Sequence, residues 1–367
     1  MEASPNSVIG VYVHIPYCRT ICPYCDFVKR PIKGSVPKAF LDALREEILS
    51  FDGDSEVDGV FFGGGTPSLI AVDDFASIMD ALRSRFRLTP AAEITLEANP
   101  DDVTAELLDA WTACGVNRVS LGVQSFNEET LRYLGRRHDA GGARRACELV
   151  AERLANWNMD LIFGAPPLTA WRATLEACRL FQPAHVSAYG LTYESGTPFG
   201  KRANEAIDDD TYLTQFHDVD GVLDAYERYE VSNLARPSFQ CVLNLRYWHN
   251  EEYAGFGPAA YSYLRNVRSR NCVKTEDYLS VPGSKQEMLQ LTEQEIRVET
   301  LIQHFRLRQG LSKDYYRARF GRPLESDFGP LIESLVERGL LEEDATAVRP
   351  TPKGFELNNE IGLALVG

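Results

Sequence analysis

Short apolar strands alternating with helices are the feature that most limits how this chain can fold. Six runs rich in β-branched and aromatic residues occur in the first two hundred positions: GVYVH (10–14), GVFF (59–62), EITLEANP (93–100), RVSLGVQSF (118–126), NMDLIFGAP (158–166) and AHVSAYGLTYE (184–194). Helical spacing marks the stretches between most of them. Residues 37–51 place Phe40, Leu41, Leu44, Ile48 and Leu49 on one side, and Phe75, Ile78, Met79 and Leu82 mark the next helix. Residues 103–111 are helical again, and one longer helical region covers 128–156. Strands separated by helices in this way pair in parallel, with the helices as crossovers. Chemistry-bearing residues also collect at or near the strand ends: three cysteines, a glycine run, Glu97, Gln124 and Asp160. In a β/α barrel the loops after the strands converge on one face, and that face carries the chemistry.

Cys18, Cys22 and Cys25 lie in YVHIPYCRTICPYCDF, directly after the first strand. The C-x3-C-x2-C spacing offers three thiolates to one metal centre and no obvious fourth. Closed structural zinc sites take four tetrahedral ligands, and closed iron–sulfur clusters take four cysteines. Three thiolates therefore point to a [4Fe–4S] cluster with one iron open to a reacting ligand. Zinc is the competing reading if His14 supplies a fourth ligand, although its setting in VYVHIP is that of a strand side chain. Buried free thiols are the plain structural alternative. The other five, Cys114, Cys147, Cys178, Cys241 and Cys272, are scattered and read as buried small hydrophobes rather than disulfide partners.

Gly63, Gly64, Gly65, Thr66 and Pro67 follow the second strand without a break. Such a run either makes a tight turn or lets backbone groups approach a ligand. It matches neither a P-loop nor G-x-G-x-x-G. Glu97 has apolar neighbours on both sides, where an unpaired carboxylate is costly, so it calls for a cationic or hydrogen-bonding partner. Gln124 and Asp160 follow the same logic. Arg136, within Arg136-Arg137-His138, reads from its neighbours as part of a solvated helix face.

At 367 residues the chain can hold one large domain and a small one. Its hydrophobic content of 44% is that of a globular protein, and no apolar run approaches the roughly 20 residues of a membrane span. A formal charge of −15 argues against nucleic acid as a partner. The segment MEASPNS is unlike a transit peptide, and a cytoplasmic location is the expectation.

Jointly, YVHIPYCRTICPYCDF, FFGGGTPS, TLEANP, SLGVQSF, DLIFGAP, HVSAYGLTYESGTPF, YEVSNLARP and NLRYW resemble the motifs of the radical S-adenosylmethionine superfamily. Among its members the chain is similar to the oxygen-independent coproporphyrinogen III oxidase-like group, and within that group to the heme chaperones. The resemblance implies an α/β fold, a partial (β/α)6 radical-SAM barrel followed by a small C-terminal winged-helix-like α+β domain. It implies that Cys18, Cys22 and Cys25 hold a [4Fe–4S] cluster whose open iron binds S-adenosylmethionine. Tyr12 would lie beside that cofactor, and Gly64, Gly65 and Thr66 would line its methionine part. Glu97, Gln124, Arg136 and Asp160 would complete the pocket around ribose and carboxylate. The implied chemistry is reductive cleavage of the sulfonium to methionine and a 5′-deoxyadenosyl radical. The implied partners are heme or another tetrapyrrole, a heme-accepting protein and an electron donor.

Two differences set the chain apart from the oxidases of that group. They carry a fourth cysteine two residues after the third, where Phe27 stands here, and a longer N-terminal segment. Both favour a chaperone over decarboxylation of a porphyrinogen. Two histidines of the chaperones are also replaced, by Leu243 in LNLRYW and by Tyr261 in GPAAYS. His249 and Tyr261 are candidate replacements, because heme iron accepts His or Tyr; a surface histidine is the plain alternative for His249. The same replacements keep in view a radical enzyme acting on another substrate by methyl transfer or cyclopropanation.

Pro282 and Gly283 in VPGSK suggest a linker. The expected division is a barrel over 1–235, a connecting segment over 236–284 and a C-terminal domain over 285–367. Residues 295–307 are helical, Leu331, Ile332, Leu335 and Val336 share one face, and Gly339 suits a helix end. Residues 311–367 hold seven Lys/Arg against ten Asp/Glu, which lacks the basic footprint of a DNA-binding winged helix. This domain is expected to act as a lid or partner surface over the barrel mouth.

Overall fold

A computed structural model describes residues 8–366, so the MEASPNS segment lies outside the described residues. The six expected strands are β1 (Val8–Ile15), β2 (Glu56–Gly64), β3 (Arg87–Ala98), β4 (Arg118–Gln124), β5 (Trp157–Phe163) and β6 (His185–Gly190), each parallel to the next. Between them run α1 (Lys38–Ser50), α2 (Val72–Arg85), α3 (Ala105–Ala113), α4 (Glu128–Tyr133), α5 (Ala140–Arg153) and α6 (Ala170–Phe181).

The single helical region expected over 128–156 is thus two helices. Gly135, at φ 66°, follows the end of α4, and Asp139 caps α5 by accepting the Gly142 N–H at 2.6 Å. Arg136, expected on a solvated helix face, lies in the loop between them, at the strand ends.

The sheet extends beyond the six strands. After α7 (Asp209–Val222), the short strands β7 (Glu227–Arg228) and β8 (Asn233–Ala235) add to the β6 edge. After α8 (Val242–Trp248), β9 (Tyr253–Phe256) lies parallel to β1. Antiparallel β10 (Tyr261–Leu264), β11 (Val267–Asn271) and, beyond α9 (Thr275–Ser280), β12 (Lys285–Gln290) follow it. The order is β12-β11-β10-β9-β1-β2-β3-β4-β5-β6-β8-β7, open between β12 and β7. The turn at 281–285 therefore joins α9 to another strand of the large sheet, which carries past the expected linker.

The barrel strands alternate between two faces, with register shifts at Ile9/Gly10, Val57/Gly59 and Leu121/Gln124. Val119, Leu121 and Val123 of β4 enter the main core with the helices, while Arg118, Ser120 and Gln124 occupy the alternate positions. Met159, Leu161 and Phe163 of β5 do the same opposite Asn158 and Asp160, as do Ile94 and Leu96 of β3 opposite Glu93, Thr95 and Glu97. The apolar face seals the helices to the sheet, and the polar face lines the barrel.

At the amino ends of β1–β3, α8 closes the barrel. Arg246 holds Asp58 with two hydrogen bonds (2.7 and 2.5 Å) and donates to Val8 O at 3.0 Å, and the Val242 N–H donates to Glu93 Oε1 at 3.0 Å. Leu243 is buried against Gly10 of β1.

The C-terminal domain comprises α10 (Glu293–His304), β13 (Leu311–Ser312), α11 (Lys313–Phe320), α12 (Leu324–Glu337), β14 (Leu341–Glu343), β15 (Ala347–Pro350), α13 (Pro352–Glu356) and α14 (Asn358–Val366). Helices followed by a small hairpin give the winged-helix order, around a separate core containing Leu301, Tyr316, Leu335 and Val348. The domain braces the open side of the barrel. Near β7 and β8, Arg308 N–H donates to Tyr229 O at 2.9 Å; on the other side Arg268 pairs with Glu299 at 2.6 Å and Asn250 Nδ2 donates to Thr300 Oγ1 at 3.1 Å. No helix among the described residues is long and apolar enough to cross a membrane.

A Cβ on Gly10 would collide with Leu243 Cδ1 and lie 3.0 Å from Arg246 Cδ. Gly10→Ala is expected to destabilise the chain by about 1–3 kcal/mol through overpacking. Thermal unfolding should show the Gly10→Ala/Leu243→Ala pair recovering part of the loss; a strictly additive pair would place α8 elsewhere.

Candidate functional site

The cysteine segment leaves β1 as a closed loop. Tyr17 and Cys18 pair in parallel with Arg30 and Pro31, and the Ile32 N–H donates to Cys18 O at 2.9 Å. Within it, Cys25 N–H donates to Cys22 O at 3.2 Å. His14 props the loop from inside. Its Nε2–H donates to Val28 O at 2.9 Å while Nδ1 accepts the Tyr12 hydroxyl at 3.1 Å. Burial lowers its pKa and keeps the ring neutral. Both nitrogens are engaged, so His14 is a strut, as its strand setting suggested, and offers no free nitrogen to zinc.

The glycine run fits against this loop. Gly64 has φ 104°, donates its N–H to Glu97 Oε2 at 3.1 Å, and has no room for a Cβ beside the His14 ring. A Cβ on Gly65 would lie 2.7 Å from both Ile15 O and Tyr17 O. Close approach to β1 and the loop explains both glycines, whatever else their backbone meets.

A cavity of about 460 Å³ opens at the carboxyl ends of the strands. Cys18, Cys22 and Cys25 border it on one wall, and Gly64, Gly65, Thr66, Glu97, Gln124, Arg136 and Asp160 complete it. Tyr12 alone of the expected residues does not. It lies within the barrel beside Phe61 and borders two neighbouring cavities instead.

Charge is distributed unevenly here. Arg136 donates to Gly122 O at 2.9 Å, to Asn99 Oδ1, and to Cys22 Sγ at 3.4 Å. Burial raises the Cys18 thiol, an effect that a Thr66 hydrogen bond opposes. Across the cavity stand two carboxyls. Asp160 accepts from Asn158 Nδ2 at 2.7 Å and Ser120 Oγ at 3.1 Å, and burial raises its pKa. Glu97 receives only the Gly64 N–H among the described residues; burial, then Asp160, push its pKa up to about 8. Gln124 sits at φ 66°, uncommon for a residue with a side chain, where the β4–β5 register shifts.

Asn99, Ser120 and Asn158 escaped sequence reasoning, although each belongs to a quoted strand motif. Asn99 ties Arg136 to Thr66, donating to its Oγ1 at 3.2 Å. Asn158 continues inward to His185 and Tyr229, whose hydroxyl accepts from Asn244 of α8 at 3.0 Å.

The two replaced histidine positions lie apart, Leu243 beside the smaller inner cavity and Tyr261 beside a separate one. Leu243 packs at the closed end. His249 is half-buried rather than on the surface: its Nε2 accepts from Gln309 at 3.0 Å, and its carbonyl accepts from Tyr315 and Arg319, both at 3.1 Å. It is therefore an interdomain contact. Of the other cysteines, Cys147, Cys178 and Cys241 are buried as expected, but Cys114 and Cys272 are only half-buried; all eight are free.

Among the described residues no three His, Cys, Asp or Glu are gathered into a set that could hold a metal ion. A four-iron cube places each thiolate on its own iron, so its sulfurs do not converge on one point. Three thiols around one cavity, with a guanidinium on one of them, fit that donor pattern.

A β/α barrel with this cysteine loop at its carboxyl face is the arrangement of the radical SAM superfamily, whose family model matches residues 12–178, while the HemN C-terminal domain model matches 291–357. The fold superposes on the coproporphyrinogen III oxidase HemN of Escherichia coli, a radical SAM enzyme, with a TM-score of 0.84 over 99% of this chain and 91% of that one, at 22% identity. The heme chaperone HemW of Escherichia coli is 34% identical over 94% of this chain and 95% of its own. That of Lactococcus lactis is 31% identical over 98% and 97%. The chain belongs to the HemW family of radical SAM proteins.

Glu97 makes a pH prediction for the cofactor-free chain. Below the unfolded value of 4.5 both states hold the proton; from there to about 8 only the folded state does, so stability falls as pH rises. The loss is on the order of a few kcal/mol. Glu97→Gln is expected to flatten the decline of the unfolding midpoint across that window. An equally steep decline would show that Glu97 ionises normally.

Proposed function

We propose that the chain binds a [4Fe–4S] cluster and S-adenosylmethionine and carries heme to acceptor proteins. The convergence of three thiols, a close-packed glycine turn and two buried carboxyls on one cavity of about 460 Å³ supports the cofactor part. Cys18, Cys22 and Cys25 would hold three irons. When bound, the cluster supplies an open iron and one-electron reduction of a sulfonium ligand.

The chain's own groups suit that ligand. Arg136 stands against Cys22, donating to its Sγ at 3.4 Å. Glu97, short of donors, suits the ammonium or ribose hydroxyls of the ligand; accepting them offsets the cost of its burial. Thr66 and Asn99 fix the cavity wall between the cysteines and the carboxyls. Closure of the barrel by α8 at its far end limits access of bulk water from that side. The heme part rests on the relatives, which are named heme chaperones. Phe27 stands where an oxidase has a further cysteine, in keeping with a carrier rather than a decarboxylase.

Anaerobic reconstitution with iron and sulfide is expected to load about four irons per chain. Cys22→Ser should lose the cluster absorption and 5′-deoxyadenosine formation from S-adenosylmethionine. Transfer is read by mixing heme-loaded chain with a heme-free acceptor protein. A chain that never binds heme, or never passes it on, would refute the carrier role while leaving the cofactor part standing.

A further inference from the structure

Beside the cysteine cavity lies a larger one of about 550 Å³, and Asp26 and Phe27 of the cysteine loop border both. Its walls include Tyr12, Tyr247, Tyr253 and Tyr261, with Arg268 and Arg270 at one side. Flat aromatic walls and guanidinium groups together select a planar, conjugated ligand that carries carboxylates. The volume is within the range of cofactor pockets, about 300–1,000 Å³. The barrel interior that Leu243 borders, at about 150 Å³, is not.

The two arginines stand two residues apart on β11 and so leave the same face of the sheet. Glu299 already takes Arg268 with two hydrogen bonds, at 2.6 and 2.8 Å. Arg270 is less engaged. Its Nη1 is 3.6 Å from Glu287, and its Nε is enclosed without a hydrogen-bond partner. The guanidinium lies 5.0 Å over the ring of Tyr261, its register partner on β10. Tyr261 is 40% exposed, and its hydroxyl takes no hydrogen bond among the described residues. The Tyr261 hydroxyl is thus an unengaged oxygen bordering the cavity, a donor type that heme iron accepts.

We propose that this cavity seats an iron tetrapyrrole, with Arg270 holding a propionate and the Tyr261 oxygen ligating the iron. The proposal rests on the heme-carrier reading and gives it a place. On ligation the Tyr261 O–H bond breaks, the oxygen pair forms the bond to ferric iron, and the proton leaves to solvent. No oxidation state changes. The ligand then lies against Phe27, next to the cysteine cavity.

The test titrates the full chain with ferric heme and, separately, with iron-free protoporphyrin. Thermal unfolding first establishes that each variant folds. Arg270→Gln is expected to weaken both ligands by about tenfold or more, the loss of a charge-assisted hydrogen bond, with Arg270→Lys in between. Tyr261→Phe should leave protoporphyrin binding within about twofold while abolishing the phenolate-to-iron charge-transfer absorption of bound heme. Wild-type affinity and spectrum in both Tyr261→Phe and Arg270→Gln would overturn this seat and leave the carrier reading standing. Failure of the unaltered chain to bind heme at all would overturn both.

Discussion

A polar group taken out of water must find a hydrogen-bond partner, and this barrel lines its interior with such groups. At the closed end they are largely satisfied among themselves. Glu93 lies 3.8 Å from Arg118 and accepts the Val242 N–H, while Asn158, His185 and Tyr229 form a continuous chain. At the carboxyl end the satisfaction runs out. Glu97 has a single donor among the described residues, and burial with the nearby Asp160 keeps its proton on to about pH 8. This deficit, rather than any one residue, marks where a ligand with donors is wanted.

Closure at the two ends is achieved by different means. The cysteine loop is tied at its base by strand pairing and from within by His14, so the three thiols face the cavity from a framed segment. At the other end α8 is bolted to β1–β3 through Arg246 and the Val242 N–H. The hydrogen-bond chain from Asp160 through Asn158, His185 and Tyr229 reaches Asn244 of that helix. The C-terminal domain, expected as a lid or partner surface over the barrel mouth, braces the open side near β7 and β8 and near β11.

Much of this was legible because it is periodic or local. Strand–helix alternation located all six parallel strands, and the strand-end positions of Cys18, Glu97 and Asp160 anticipated a common face. The less legible parts depend on partners distant in the chain. Arg136 looked like a solvated helix residue because its neighbours are charged; only the break at Gly135 and Asp139 carries it into the cavity. Asn99 gains meaning once Thr66 and Arg136 meet it from other elements. The turn at 281–285 looked like a linker because nothing local records that Lys285–Gln290 pairs with β11.

By itself, then, the sequence determined the alternating faces of the strands, the three-thiol loop and the family, since each is written in spacing along the chain. Tertiary structure alone decided that His14 is a strut, that Leu243 fills the closed end, that His249 joins domains, and that Tyr261 meets Arg270 beside a large cavity. Those assignments turn on which groups compete for one buried space, and packing of elements far apart in sequence settles that competition.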